Sequence, residues 1–149
     1  MPAWSPDGTA IVFARGYPAS SDLYRMNADG SSTTRLTDFE GYEHSPTWSP
    51  GGTRIAFESR SLEAPRINLF DIDDGTVTDQ GPGSLPRWSP DGARLAFVSD
   101  RAGNLDVFVM DADGANVYQL TTGPERDTLP SWLPDGETIL YVSFDVTSP

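Results

Sequence analysis

Short hydrophobic runs, in which a large aliphatic residue and an aromatic residue stand two positions apart, recur along the chain. Residues two apart point to the same face of a β-strand, so each run predicts a strand with one strongly apolar face. The four runs are Ile11-Val12-Phe13, Ile55-Ala56-Phe57, Leu95-Ala96-Phe97 and Ile139-Leu140-Tyr141. No segment has helical periodicity, and the chain is therefore expected to be all-β.

A turn signal precedes each of these runs. Its clearest copy is Trp88-Ser89-Pro90-Asp91-Gly92, in which the proline fixes one φ angle and the glycine permits the chain to reverse. The tryptophans of the four copies, Trp4, Trp48, Trp88 and Trp132, are spaced by 44, 40 and 44 residues. Such a period is typical of repeat architectures in which each repeat forms one small structural unit.

Further strands in each repeat are predicted on both sides of a second turn. In the third repeat this turn ends in Asp113-Gly114, and Asp-Gly between two alternating segments is a strong hairpin signal. Three repeats have four strands and the last has two, which predicts fourteen strands in one domain, 1–149. The fourth strand of the second repeat is expected to be short, because Gly81-Pro82-Gly83 follows Thr76-Val77-Thr78. The predicted repeats are 2–45, 46–85, 86–129 and a partial repeat, 130–149.

The ordered motifs of the third repeat carry a family resemblance. Pro-x-Trp-Ser-Pro-Asp-Gly, Leu-Ala-Phe-x-Ser, Asp-Val-Phe-Val-Met-Asp-Ala-Asp-Gly and Gln-Leu-Thr follow one another between Pro86 and Thr121. This order resembles the repeat of TolB-like β-propellers. The resemblance implies that each repeat is a four-stranded antiparallel blade set radially around a channel. It also implies that the tryptophans, Trp4, Trp48, Trp88 and Trp132, are equivalent, buried residues between blades.

The number of repeats is small for a propeller. Rings of this fold contain about four to eight blades, whereas this chain has three and a half. Closure is therefore expected only by oligomerisation, with the chain itself as partner, or by blades outside this sequence. An open arc would expose the apolar faces of its first and last blades.

Composition and charge exclude several classes of function. With 149 residues, 37% of them hydrophobic, the chain is long enough for an ordered domain with a core. The sequence has 22 acidic and ten basic residues, and the resulting net charge of −12 makes nucleic acid a poor partner. No apolar stretch approaches the roughly 18 residues of a membrane span. The compartment is not determined: periplasmic or secreted if a signal was removed, cytoplasmic otherwise.

Catalytic and metal-binding motifs are sparse. The sequence has no cysteine and no Gly-x-Ser-x-Gly nucleophile elbow, so we expect no enzyme activity, no catalytic residue and no cofactor. The aspartates around Asp71 fail the spacing of a calcium loop, because Pro82 stands where the twelfth ligand should be. No metal site is predicted.

Five residues near the repeat boundaries are predicted to form a binding surface at the mouth of the channel: Glu43, His44, Arg87, Arg126 and Asp127. Glu43 and Asp127 each lie three residues before the proline of a repeat, and would ring the same opening. The favoured function is a non-catalytic protein-binding or scaffolding module that self-assembles into a ring. The alternative is a lid or accessory fragment of a larger hydrolase or lyase similar to prolyl oligopeptidase.

Overall fold

The computed structural model describes residues 1–16, 20–61 and 64–145, and in those ranges the chain forms fourteen β-strands and no helix. The strands pair into three four-stranded sheets and one two-stranded sheet. Within each sheet, every pair joins consecutive strands and is antiparallel. The prediction of an all-β arc of three blades and a half-blade is confirmed. Residues 146–149 of the predicted partial repeat lie outside the described residues.

The strands of each blade run in order from the inner to the outer edge of the arc. Blade 1 contains β1 (Ala3–Trp4), β2 (Ala10–Arg15), β3 (Asp22–Asn27) and β4 (Thr34–Arg35). Blade 2 contains β5 (Tyr42–Trp48), β6 (Arg54–Arg60), β7 (Arg66–Asp71) and β8 (Val77–Pro82). Blade 3 contains β9 (Ser84–Trp88), β10 (Arg94–Ser99), β11 (Asp106–Asp111) and β12 (Tyr118–Gln119). The half-blade contains β13 (Arg126–Trp132) and β14 (Ile139–Phe144).

The turn between the first two strands of a blade is stabilised by its own side chains. In blade 3 the Ser89 hydroxyl accepts a hydrogen bond from the Arg94 amide at 2.9 Å and donates one to Asp91 at 2.5 Å. Gly92 has a φ of 72°, which a residue with a side chain rarely adopts. The Ser-Pro-Asp-Gly sequence therefore encodes the hairpin locally.

The inner strands β5, β9 and β13 contain a bulge that the sequence did not reveal. The residue before the proline has a positive φ in each strand, 50° at Ser45, 53° at Leu85 and 54° at Leu129, and the pairing register shifts there. The bulge lets the strand continue upstream of the proline. The outer strand β8 was also predicted wrongly as short, since it has six residues and pairs with β7 through a register shift.

The hydrophobic core lies between blades, at surfaces that we call junctions and number in chain order. Trp48, Ile55 and Phe57 of blade 2 pack against Val12 and Leu23 of blade 1 at the first junction. The equivalent residues of blade 3 pack against blade 2 at the second junction, and they include Trp88, Leu95 and Phe97. Both faces of a central blade are thus covered, which explains why its strands are apolar at consecutive positions.

Candidate functional site

Glu43 lies within β5 and its side chain is buried in the first junction. It is 1% exposed, and its Oε2 accepts hydrogen bonds from the Leu23 amide at 2.9 Å and from the Thr37 hydroxyl. Its Oε1 has no hydrogen-bond partner. Burial raises the pKa of Glu43 to about 7, against the lowering effect of its two hydrogen bonds, and the nearby Asp22 carboxylate adds to the rise. Glu43 therefore links blade 2 to blade 1.

Asp127 occupies the same position in the third junction. It is 5% exposed, and its amide donates to the Leu105 carbonyl at 2.7 Å, as the Glu43 amide donates to Ser21 at 3.0 Å. One carboxylate oxygen of Asp127, Oδ1, is buried without a partner. The prediction that Glu43 and Asp127 ring an opening is wrong, because the bulges extend the strands and place both side chains inside junctions.

The other three predicted residues are more accessible and lie on separate strands. His44 on β5 is exposed and stacks on Tyr42, with ring centroids 5.8 Å apart. Arg126 is exposed at the start of β13, where it pairs with Phe144. Arg87 on β9 is half-buried, its guanidinium donates to the Pro86 carbonyl at 2.8 Å, and burial lowers its pKa. Since β9 contacts both β5 and β13, Arg87 lies on the strand between those that carry His44 and Arg126.

A groove at the second junction was missed by the sequence analysis. We call it the mouth groove; it has a volume of 490 Å³, and its lining includes Glu58, Arg60, Pro65, Leu85, Val98 and Thr128. Glu58 is 4% exposed and forms an ion pair of 3.1 Å with the exposed Arg60. The signal in the sequence is Gly83, which stands where the other junctions have Glu43 or Asp127.

Gly83 is required at that position by the packing around it. A Cβ atom on Gly83 would lie 2.6 Å from Cδ2 of Phe97 and 3.0 Å from Cδ1 of Ile67. The aromatic ring thus occupies the space that an acidic side chain takes at the first and third junctions. At the second junction the buried carboxylate is instead that of Glu58, whose Oε2 accepts a hydrogen bond from the Leu85 amide at 3.4 Å, and it lines the groove.

The tryptophans define the contact between neighbouring inner strands. The indole Nε1 of Trp48, Trp88 and Trp132 donates to a carbonyl of the preceding blade, in Ala3, Thr47 and Arg87, at 3.3, 3.3 and 3.1 Å. Trp48 and Trp88 are each 8% exposed, and Trp132 is half-buried. Trp4 is 59% exposed, so its predicted burial is wrong: no blade precedes blade 1 among the described residues.

Metal-ion clusters and membrane-spanning helices are both absent from residues 1–16, 20–61 and 64–145. No three histidine, aspartate or glutamate side chains in these ranges are grouped so that they could hold a metal ion. No helix in the same ranges is long and apolar enough to cross a membrane.

The sheets are formed by consecutive antiparallel strands, and tryptophans join neighbouring sheets face to face. These two features define the class of the protein: it is part of a β-propeller. The TolB beta propeller domain family matches residues 1–81 and 76–149, and the chain belongs to that family.

Relatives of this chain extend beyond the part that it matches. It is 35% identical over 129 residues to Atu1656 of Agrobacterium fabrum, covering 78% of this chain and 44% of that protein. It is 41% identical over 63 residues to dipeptidyl-peptidase 5 of Porphyromonas gingivalis, covering 38% of this chain and 9% of that protein. The structure of TolB from Acinetobacter baumannii superposes with a TM-score of 0.87 at 25% identity, covering 99% of this chain and 38% of that one. The match thus spans less than half of each of these three proteins.

Proposed function

We propose that this chain is a non-catalytic protein-binding or scaffolding module, an arc of propeller blades that is completed by further blades. The observation that carries the proposal is the mouth groove, 490 Å³ in volume, which combines apolar and charged lining residues. Apolar walls with a few fixed polar groups are typical of sites that take a peptide or another small ligand. The buried carboxylates Glu43 and Asp127 support the architecture around the groove and do not contact the ligand.

The absence of catalysis is part of the proposal. The only histidine in the sequence, His44, stacks on an aromatic ring, and the sequence has neither a cysteine nor a nucleophile elbow. We expect the chain to hydrolyse chromogenic dipeptidyl, peptide and ester substrates no faster than buffer does. A rate above the buffer rate that purifies with the chain would contradict this part.

Peptide-display selection against the immobilised chain tests the binding function. Selected peptides are expected to bind at least tenfold more weakly to Arg60→Ala and Leu85→Asn, which alter the mouth groove, than to the parent. Asparagine tolerates the positive φ of position 85, so the backbone should be retained. Val117→Ala, an exposed change in the turn of blade 3, is the matched control. Selection without enrichment, or peptides that bind all variants equally, would contradict the proposal.

We also propose that His44 and Arg126, which do not line the mouth groove, add to ligand binding. Both are exposed, so their replacement by alanine should leave the melting temperature within error and weaken peptide binding by less than the groove variants do. Binding that depends on neither residue would confine the ligand to the groove itself.

A second candidate function is supported by the likeness to dipeptidyl-peptidase 5. In this case the chain is the propeller portion, a lid or accessory domain, of a larger hydrolase or lyase similar to prolyl oligopeptidase. The reading frame around the coding sequence separates the two functions, because a catalytic α/β-hydrolase segment in the same frame would support the second one.

A further inference from the structure

A second groove lies at the first junction, beside the turns that connect the first two strands of blades 1 and 2. We call it the turn groove, and it has a volume of 420 Å³. Both of its walls belong to these two blades, and it shares no lining residue with the mouth groove. Its lining includes Asp7, Ala10 and Arg25 of blade 1 and Trp48, Gly51 and Ile72 of blade 2.

The turn groove is open because blade 1 lacks a side chain that the next two blades have. At the second junction the Arg54 guanidinium lies over the Trp88 ring, 5.4 Å from its centroid. At the third junction Arg94 lies over the Trp132 ring at 4.9 Å. Each of these arginines is the first residue of the second strand of its blade, and in blade 1 that residue is Ala10. The tryptophan of the first junction is therefore not covered by an arginine from β2.

Arg25 instead brings a positive charge into the turn groove from β3. By register it stands where blade 2 has Leu69 and blade 3 has Val109, which are both buried and apolar. Its Nε atom is buried and has no hydrogen-bond partner among the described residues. A buried polar group without a partner costs free energy, and an anion that enters the groove would provide the missing acceptor.

Gly51 leaves vacant a place that a carboxylate occupies in the other turns. Asp7, Asp91 and Asp135 stand at this turn position, and the Oδ1 of each accepts a hydrogen bond from the amide two residues later, at 3.0, 3.0 and 2.9 Å. Glycine offers no such oxygen in blade 2, and no atom lies within 4 Å of a Cβ atom placed on Gly51. The turn groove thus contains both an unpaired cation and free space where the other turns hold an anion.

We propose that the turn groove binds a small carboxylic acid with an apolar body. The carboxylate would accept hydrogen bonds from the Arg25 guanidinium, and the apolar body would lie against Trp48 and Ile72. The volume of 420 Å³ lies within the range of about 300–1,000 Å³ that is usual for small-ligand sites. This inference goes beyond the proposed function, because it concerns a different groove and a different class of ligand.

The charges in the lining favour an anion over a cation. Asp7 is the only other charged residue that lines the turn groove. Its carboxylate accepts hydrogen bonds from the Ser5 hydroxyl at 2.6 Å and from the Thr9 hydroxyl at 2.9 Å, so it is engaged in its own turn. Arg25 has no such partner, and hydrogen bonds between a guanidinium and a carboxylate are among the strong ones in proteins.

Titration of the isotope-labelled chain with phenylacetate, followed by NMR at constant pH and ionic strength, tests the proposal. Phenylacetate is a minimal acid of this class, and a ligand so small is expected to bind in the millimolar range. The amide signals of Gly51 and Ile72 and the indole signal of Trp48 should shift and reach saturation. The indole signals of Trp88 and Trp132 should not shift, because arginines cover these rings. Phenylacetamide and phenethylamine, the neutral and cationic analogues, should bind at least tenfold more weakly.

Three variants test the two features that define the site. Arg25→Leu should weaken phenylacetate binding at least tenfold, because it removes the cation. Gly51→Asp and Gly51→Asn should weaken it as much, because each side chain fills the vacant place. Both should melt no lower than the parent, since either side chain can accept from the Thr53 amide as the aspartates of the other turns do. Arg15→Leu, which removes an exposed arginine of β2 outside the groove, is the matched control and should bind like the parent.

Four results would overturn the proposal. They are the absence of a saturable shift, equal binding of the three probes, unchanged binding in Arg25→Leu, and unchanged binding in the two Gly51 variants. A blocked dipeptide, N-acetyl-aspartyl-phenylalanine amide, tests the source of the carboxylate. If it shifted the same signals while phenylacetate did not, the ligand would be an acidic peptide side chain, and the assignment to a small acid would be wrong.

Discussion

At the scale of single residues, two tryptophans with nearly the same local sequence have different surroundings. Trp88 is 8% exposed and bonded to the Thr47 carbonyl, whereas Trp4 is 59% exposed. The difference arises from the neighbouring blade and not from the tryptophan or its turn. These two residues therefore form a natural pair for measuring the energy of a junction.

Trp88→Ala should lower the free energy of unfolding by about 3–5 kcal/mol, because it removes a large buried side chain. Trp4→Ala should lower it by less than about 1 kcal/mol, as expected for an exposed residue. Urea unfolding at low protein concentration measures both values without a contribution from association. Equal effects of the two changes would contradict the assignment of Trp88 to an inter-blade contact.

Glu43 is the residue whose protonation is most closely tied to packing. Its raised pKa of about 7, compared with 4.5 in an unstructured chain, means that the folded state binds the proton more tightly than the unfolded state. Facing groups include Asp22 on β3, whose Oδ1 is also buried without a partner, and Arg35, which bonds Asp22 at 2.8 Å. A proton on Glu43 thus avoids a second buried negative charge beside Asp22.

The stability due to this proton should be present below about pH 4.5 and be lost as the pH rises to about 7. The loss is on the order of 3 kcal/mol over that window. Glu43→Gln should remove this slope from the pH profile of the free energy of unfolding, and Glu40→Gln, a change at an exposed carboxylate nearby, should retain it. The loss of stability at low pH is a separate effect, because hydrogen bonds from Ser5 and Thr9 lower the pKa of Asp7 to about 2. An unchanged slope in Glu43→Gln would refute the link.

At the scale of elements, the turns follow directly from the sequence and the inner strands do not. Ser89, Asp91 and Gly92 form the turn by contacts within seven residues, so its sequence suffices to predict it. The bulge at Leu85 depends on pairing with β10 and on the neighbouring blade. A local sequence pattern contains no information about either contact. For this reason Glu43 and Asp127 were predicted on an exposed opening, although both lie within strands and are buried. The exposed His44 and Arg126 were assigned from the same pattern, which does not separate buried from exposed positions.

The bulge can be tested at Leu129, where φ is 54° and the side chain is 47% exposed. Leu129→Val should be destabilising by about 1–2 kcal/mol, because β-branched residues tolerate the left-handed region poorly. Leu129→Gly should be neutral or stabilising, because glycine adopts this φ without strain and little packing is lost. Thermal unfolding of the two variants gives the comparison. A valine variant as stable as the glycine variant would show that the left-handed conformation is not retained in solution.

At the scale of the whole molecule, the repeat count predicted an open arc, and the structure has one. The sequence could also indicate that the ends would be apolar, because every repeat carries the same hydrophobic run. It did not indicate the mouth groove, since this depends on one glycine, Gly83, and on the ring of Phe97 that packs against it. Features that recur in all repeats were thus predictable, and features that distinguish one junction from another were not.

The charge of the whole chain leads to a final prediction about salt. Twenty-two acidic side chains against ten arginines give a net charge of −12, and the repulsion among them is greater in the compact state than in the unfolded chain. Raising NaCl from about 0.05 M to about 1 M shortens the screening length from about 14 Å to about 3 Å, so the melting temperature should rise. Replacing three exposed acids by amides, Glu40→Gln, Asp73→Asn and Glu137→Gln, removes three negative charges and should make this rise smaller. Scanning calorimetry of the parent and the triple variant across the salt series measures the effect. A melting temperature of the parent that falls with salt would contradict the prediction. It would mean that favourable ion pairs, such as Arg66 with Asp79, outweigh the net repulsion.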